Sequence, residues 1–382
     1  MTDPIYVDNN ATTQPLPEVV EAVHASLGGG FANPSSAHQA GQAVRYTVEC
    51  ARQEIACLIS ADPREIIFTS GGTESINLAL RGALNSAPEK RHIVTTTVEH
   101  SSCVDVCDAL EEAGYCVERV GVDRNGLMDP AAWQRALSED TALATFQHVN
   151  NETGVLFDVA GMAQAASDCG ALVHIDAVQS VGKLPINVTS WPVHMLSLSA
   201  HKFHGPKGAG ALYVKRRTRL APLIRGGHQE RGLRGGTENV PGIVGMGVAA
   251  RVAATCLQAT QQRVGALRGR LERGILRAVP MAKVNGSTSH RIYNTSNIAF
   301  EGLEAEAILI LLSEAGIYAS AGAACSSGSL EPSHVLQAMG LPEELAHGAI
   351  RFSLSQQNTE QEIDHIIDVM PALINKLSSL RR

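Results

Sequence analysis

Four polar groups stand at the ends of successive apolar runs in this chain. Lys202 lies in Ser199-Ala200-His201-Lys202, just past the run Val193 to Leu198. Asp176 ends Leu172-Val173-His174-Ile175, with Gln179 three residues on. His100 follows His92 to Val98, and Gly71-Gly72-Thr73 follows Ile66 to Thr69. Alone, each has an ordinary reading. A lysine is mostly a surface charge, and a Gly-Gly pair punctuates many strand-to-helix turns. An aspartate serves as a cap or half an ion pair, and most histidines are structural. Together they match one chemical demand. Backbone N–H groups at a helix N-terminus, with Gly72, Thr73, Ser199 and His201 around them, make a cradle for phosphate. Asp176 suits a protonated ring nitrogen, and Gln179 can donate to an adjacent oxygen. His100 can stack on a flat ring and carry a proton. Lys202, desolvated, becomes a nucleophile toward an aldehyde and forms a Schiff base. That is the requirement list of pyridoxal 5′-phosphate.

These residues need a scaffold that brings strand ends together. From Ile66 onward strand-like and helix-like segments alternate. Strands are expected over Ile66 to Thr69, His92 to Val98, Tyr115 to Val120, Ala142 to Val149, Ala171 to Ile175, Val193 to Leu198 and Ala209 to Val214. Helices are expected over Glu18 to Leu27, His38 to Ile59, Ser75 to Leu84, Ser101 to Ala113 and Val159 to Cys169. Such alternation implies an α/β fold, a mostly parallel sheet with helices on both faces. Ligands of such sheets bind beyond the carboxyl ends of the strands. In the helix His38 to Ile59, the residues Ala43, Tyr46, Cys50 and Ile55 are read as one face, with Cys50 and Cys57 on its buried side. A long charged helix is expected to begin near Thr255 and run to Ala278. Beyond it the pattern becomes that of a smaller α+β domain, with strands at Ile292 to Phe300 and Ile317 to Ser320 and helices at Glu304 to Leu312 and Thr359 to Leu377.

Two further residues bear on chemistry. Cys325 sits among small residues, Ser320-Ala321-Gly322-Ala323-Ala324-Cys325-Ser326-Ser327-Gly328-Ser329. It reads as an incidental thiol or as a mobile nucleophile. Arg351, in Ala349-Ile350-Arg351-Phe352, reads as half of a buried salt bridge or as a fork for a substrate carboxylate. Asn151 and Asn33 are candidates to share that carboxylate. Arg231 and Arg234 read as part of a solvated Gly-rich loop.

The motifs Tyr6-Val7-Asp8-Asn9-Asn10-Ala11-Thr12-Thr13, Phe68-Thr69-Ser70-Gly71-Gly72-Thr73-Glu74-Ser75, Glu99-His100 and Asn150-Asn151-Glu152-Thr153-Gly154 stand in order along the chain. Asp176-Ala177-Val178-Gln179, Ser199-Ala200-His201-Lys202, Arg234-Gly235-Gly236-Thr237-Glu238-Asn239, Cys325-Ser326-Ser327-Gly328-Ser329 and Ile350-Arg351-Phe352-Ser353 follow. In this set the chain resembles the NifS/IscS-type cysteine desulfurases over nearly its whole length. The long cysteine loop is like that branch rather than the shorter-loop SufS branch. The resemblance implies a fold-type-I pyridoxal-phosphate-dependent transferase. Its large domain, residues 15–255, would hold a mostly parallel seven-stranded sheet flanked by helices. Residues 1–14 and 256–382 would form the smaller α+β domain with the cysteine loop.

It implies a homodimer in which Thr237 reaches the phosphate of the neighbouring subunit's cofactor, and contact of Asn151 with the cofactor. Cys325 would take sulfur from L-cysteine as a persulfide, leaving L-alanine, for an iron–sulfur scaffold or another acceptor protein. No metal site from the protein alone is expected, only transient iron–sulfur ligation through Cys325. Members with a longer C-terminal segment use it against the scaffold; this sequence runs to Leu380-Arg381-Arg382, which leaves the acceptor open. A selenocysteine lyase or an aminotransferase-like relative is the rival enzyme reading, and a sulfur-delivery platform with secondary catalysis is the rival outside catalysis.

The composition agrees with a large buried core. The 382 residues are 44% hydrophobic, 18% charged and only 4% aromatic, with 35 glycines suited to tight turns. A formal net charge of −7 argues against nucleic-acid or anionic-membrane partners, which select basic faces. Met1-Thr2-Asp3-Pro4 begins no basic-then-apolar leader. No apolar run is read as approaching membrane-spanning length. The eight cysteines have no disulfide-framework spacing, and a reducing cytoplasm is expected.

Overall fold

The computed structural model describes residues 4–86, 89–322 and 332–380. Its strands are β1 (Ile5–Tyr6), β2 (Ile66–Thr69), β3 (His92–Thr96), β4 (Cys116–Val120), β5 (Thr141–Gln147), β6 (Leu172–Asp176), β7 (Met195–Ser199), β8 (Gly210–Val214), β9 (Ala282–Asn285), β10 (Thr295–Phe300), β11 (Ile317–Tyr318) and β12 (Ala349–Ser353). Its α-helices are α1 (Pro17–Gly29), α2 (Gln39–Ile59), α3 (Gly72–Ser86), α4 (Ser101–Glu112), α5 (Pro130–Ala136), α6 (Val159–Asp168), α7 (Val240–Ala278), α8 (Ala305–Glu314), α9 (His334–Ala338), α10 (Glu343–Ala346) and α11 (Glu360–Leu380).

Seven strands form one sheet in the order β2-β8-β7-β6-β5-β3-β4. Only β8 runs against its neighbours β2 and β7; the other pairs are parallel. Strands β2, β5, β7 and β8 are buried at every residue. Helices cover both faces of such a sheet, so its strands read as unbroken apolar runs rather than alternating ones. The register then decides the chemistry. Gln147 pairs with Asp176, Asp176 with Ser197, and Ser199 with Gly210. The strand ends that carry the candidate residues therefore lie side by side.

A second, antiparallel sheet has the order β12-β10-β9, and β1 pairs in parallel with β11. Ile5 and Val7 share one core with Val264, Leu271, Ile298, Phe352 and Ile366. The N-terminal strand is thus packed with residues some three hundred positions away.

Three expectations need correction. Helix α2 buries Val44, Val48, Ala51, Ile55 and Ile59, whereas Ala43, Cys50 and Cys57 are exposed and Tyr46 is 73% exposed. The buried stripe lies one residue round from the face read in sequence. The long helix begins at Val240, not near Thr255. Pro241 at its first turn and Gly242, Gly245 and Gly247 disguise its start, since glycine lowers helix propensity. Gly247 is there for packing: a Cβ would come within 2.7 Å of the Ala51 Cα on α2. Finally, α7 is long and apolar enough to cross a membrane by length and composition alone. Val240, Ile243, Met246 and Ala250 pack instead in the core beneath the large sheet, and Val264, Leu267, Leu271 and Ile275 in the second core. The short α5, α9 and α10 and the strands β9 and β12 also went unread; most are too short for periodicity to show.

Candidate active site

A cleft of about 440 Å³ opens beyond the carboxyl ends of β2, β3, β5, β6 and β7. It is lined by Gly72, Thr73, His100, Asn151, Asp176, Gln179, Ser199, His201, Lys202 and Arg351. The structure thus brings ten of the candidate residues to one place. Asn33 and Thr237 are not brought there: both are exposed, and the Asn33 side chain accepts the Ser35 N–H at 2.8 Å. Cys325 lies outside the described residues.

Lys202 ends a short turn after β7. Its Nζ donates to the carbonyls of Asn10 and Ala11 at 2.6 and 2.8 Å. Asp176 is buried at the end of β6, with one oxygen accepting the Val178 N–H at 2.9 Å. Burial pushes its pKa up, and the nearby His100 and Lys202 act the other way. A carboxyl in this setting is held ready for a cation, because an unpartnered buried charge is costly.

His100 caps α4: its Nδ1 accepts the Ser102 N–H at 3.1 Å, so a neutral ring carries its proton on Nε2. The cap fixes the imidazole at the mouth of a strand end. The His201 Nδ1 meets the Thr12 hydroxyl at 3.1 Å. Burial, then the charges of Lys202, Lys207 and Lys183, lower the His201 pKa to about 4, so the ring is neutral at pH 7.

The phosphate cradle passes a test of fit. Ser199 Oγ is buried with no hydrogen-bond partner among the described residues. Such an orphan hydroxyl calls for an acceptor from outside the chain. It stands beside the Gly71-Gly72 turn that opens α3. A Cβ on Gly210 would lie 2.6 Å from the Gly71 Cα, so only glycine lets β8 press this turn into place. Thr73 and the first free N–H groups of α3 complete the anion site.

Arg351 is half of a buried salt bridge, one of its two sequence readings, and it also lines the cleft. It is 2% exposed, and its Nη2 donates to Asp8 at 2.6 Å. Nη1 donates to the carbonyls of Asn151 and Gly322, each at 3.1 Å. Nε is buried without a partner among the described residues. The guanidinium is therefore anchored in a salt bridge while the residue lines the cleft.

Three residues were missed as site residues. Asn10 accepts from both Lys202 and Gln179 through its carbonyl, and its side chain donates to the Asn151 carbonyl and to Thr295. Glu152 lines the cleft, accepts from Ser333, and has its pKa raised chiefly by burial. Lys183 is buried beside Gln179. The first two lay inside motifs already quoted; the signal was there, but their partners are more than a hundred residues away.

Comparison with known proteins bears on this geometry. The family model "Aminotransferase class-V" matches residues 5–366. A "Cysteine desulfurase" of Trichormus azollae is 49% identical over 376 residues, covering 98% of this chain and 94% of that protein. "Cysteine desulfurase NifS" of Azotobacter vinelandii is 48% identical over 377 residues, with the same coverages. The solved structure of a "NIFS-LIKE PROTEIN" superposes with a TM-score of 0.93 at 36% identity, covering 98% of this chain and all of that one.

Proposed function

We propose a division of labour for a chain that belongs to the class-V aminotransferases and, among them, to the cysteine desulfurases. The cofactor is pyridoxal 5′-phosphate, and the reaction yields L-alanine from L-cysteine with the sulfur passed on as a persulfide. Lys202 would hold the cofactor until the substrate amine displaces and frees it, and the cofactor would supply a sink for the electrons of the substrate's Cα–H bond. Gly72, Thr73, Ser199 and His201 hold its phosphate, and Asp176 holds a proton on its ring nitrogen. Gln179 and Asn151 orient the ring. The Lys202 Nζ takes the proton from the substrate Cα. His100 Nε2 exchanges a proton with the substrate thiol. Arg351, with Asn151, binds the substrate carboxylate. Cys325 forms an S–S bond with the substrate sulfur as the C–S bond breaks, the bonding pair staying with the carbon fragment.

The observation that carries this reading is the convergence of Lys202, Asp176, His100 and the orphan Ser199 hydroxyl in one cleft, with the Arg351 guanidinium also lining it. A product balance tests it. Purified protein given cysteine should release one alanine for each sulfur recovered as persulfide or sulfide. Release of a keto acid, or turnover of selenocysteine alone, would move the reaction to a neighbouring chemistry.

The Asp176→Asn variant should lose roughly 10²–10³-fold in kcat, the usual cost of removing one preorganised electrostatic partner from a buried site. Its KM for cysteine should change far less, because Asp176 does not contact the substrate. A steady-state kcat and KM measurement separates the two.

The chain forms a homodimer, as its resemblance implies, and the exposed apolar side chains Val20, Leu27, Phe31 and Tyr46 on and around α1 and α2 are surface available to it. In it the exposed Thr237 reaches the partner subunit's cofactor phosphate. The two domains are residues 15–255 and residues 1–14 with 256–382, the division falling inside α7, whose halves enter different cores. The enzyme works in the cytoplasm and hands its sulfur to an iron–sulfur scaffold or another acceptor protein.

A further inference from the structure

A second buried lysine stands behind the first. Lys183 is 7% exposed, and its Nζ donates to Gln179 Oε1 at 2.8 Å and to Asn10 Oδ1 at 3.4 Å. It makes no ion pair among the described residues. The charges acting on it are those of Lys202 and Arg351, and His201 and His204 also face it. Burial and these cations bring its pKa down to about 7. A lysine kept in such a place without a carboxylate is expensive, and the reaction assigned above gives it no task.

Its position relative to the cleft suggests one. Gln179 lines the cleft; Lys183 does not. Lys183 faces instead a separate cavity of about 40 Å³ on the far side of Lys202. A side-chain amide offers an oxygen at one end and N–H groups at the other, and packing alone hardly distinguishes them. Here the Gln179 oxygen points to the Lys183 amine, and its Nε2 donates to the Asn10 carbonyl at 2.8 Å, the same carbonyl that receives Lys202. Reversing the amide would set its N–H groups against an amine donor and its oxygen against a carbonyl.

We propose that Lys183 is a positioning residue: its buried amine fixes the Gln179 side-chain amide with the oxygen turned away from the cleft, so that an N–H is presented on the side of Lys202 and the cofactor ring. Lys183 touches neither substrate nor cofactor and acts through Gln179 alone. The inference rests on Lys202 as the lysine that carries the cofactor.

The test uses the cofactor-loaded enzyme and reads the pH midpoint of its visible absorbance change without substrate. Lys183→Met and Gln179→Ala should each move that midpoint in the same direction by about one pH unit or more, the worth of one hydrogen bond to a charged group. The double variant should move it no further than either single one, because both remove the same oriented N–H. Lys183→Arg, which keeps a donor for Gln179, should stay near the wild-type midpoint. Should Lys183→Met fail to fold, Lys183→Leu, which likewise offers Gln179 no donor, carries the same expectation. Additive shifts would mean that Lys183 acts only through its charge, and an unmoved midpoint in Lys183→Met would mean that it does not act on the site; either overturns the proposal. A wild-type protein whose absorbance does not change with pH overturns the assignment of Lys202, and this inference with it.

Discussion

Lys202→Ala protein should fold, melt within a few degrees of wild type, and turn over cysteine about 10⁴-fold more slowly or worse. The two halves of this expectation come from different atoms. General base catalysis by a positioned side chain contributes roughly 10²–10⁴-fold on its own. Losing the covalent attachment point adds to that. For stability the account is local. The Lys202 Nζ donates to the carbonyls of Asn10 and Ala11. Removing it leaves Asn10 with the Gln179 N–H, but Ala11 loses its donor. One such loss costs about 1 kcal/mol at a partly wet site, small for a domain of this size. Added methylamine should restore part of the proton transfer, since the missing group is an amine in a cleft wide enough to admit a small one. A melt and a rate measured on the same preparation decide the matter. Activity within tenfold of wild type would remove Lys202 from the chemistry, and a large drop in melting temperature would make the rate uninformative about mechanism.

That Lys202 is legible in the sequence has a physical basis. A parallel strand covered on both faces is a short continuous apolar run, and the polar residues that follow it sit at the strand's carboxyl end. That rule located Asp176 after β6, Lys202 after β7 and His100 after β3. Register did the rest, because hydrogen bonding holds neighbouring ends within a few ångströms. The rule is silent about polar residues that are buried for one another's sake. Asn10 and Lys183 meet across more than 170 positions, and nothing around either one names the other as its partner. Arg351 was legible as half of a buried salt bridge, but its partner was not, since Asp8 lies at the opposite end of the chain. The start of α7 failed for another reason. Its glycines are demanded by the close approach of α2, and in sequence a helix interrupted by glycine looks like a loop. Asn33 was a candidate from its residue type and Thr237 by resemblance, and a single chain keeps both on its surface.

Cys325→Ala protein should keep its cofactor, respond spectroscopically to added cysteine, and form no persulfide, with sulfur release reduced about 10³-fold or more. The loss is large because an uncharged methyl group cannot replace the attacking thiolate. The argument for this cysteine, over the seven others, is one of reach. Gly322 lines the cleft, with φ at 93°, a region L-residues avoid, and its carbonyl accepts from Arg351 at 3.1 Å. A Cβ there would meet Glu152 Oε2 at 2.9 Å. Gly322 is thus pinned at the cleft by both its backbone conformation and its contacts. Cys325 follows three residues later, and a chain extends by at most about 3.6 Å per residue, so no conformation takes it farther than roughly 11 Å from that point. On the other side His334 also lines the cleft, its Nε2 donating to the Glu99 carbonyl at 2.9 Å. Among the remaining cysteines, Cys103 and Cys107 are buried in a core, and Cys50, Cys57, Cys116, Cys169 and Cys256 are not among the cleft's lining residues. Mass spectrometry of wild type and variant after a short exposure to cysteine reads the result directly. A 32-dalton addition that persists in Cys325→Ala would give the sulfur to another residue; its disappearance with an unchanged cofactor spectrum separates sulfur capture from the carbon chemistry at Lys202.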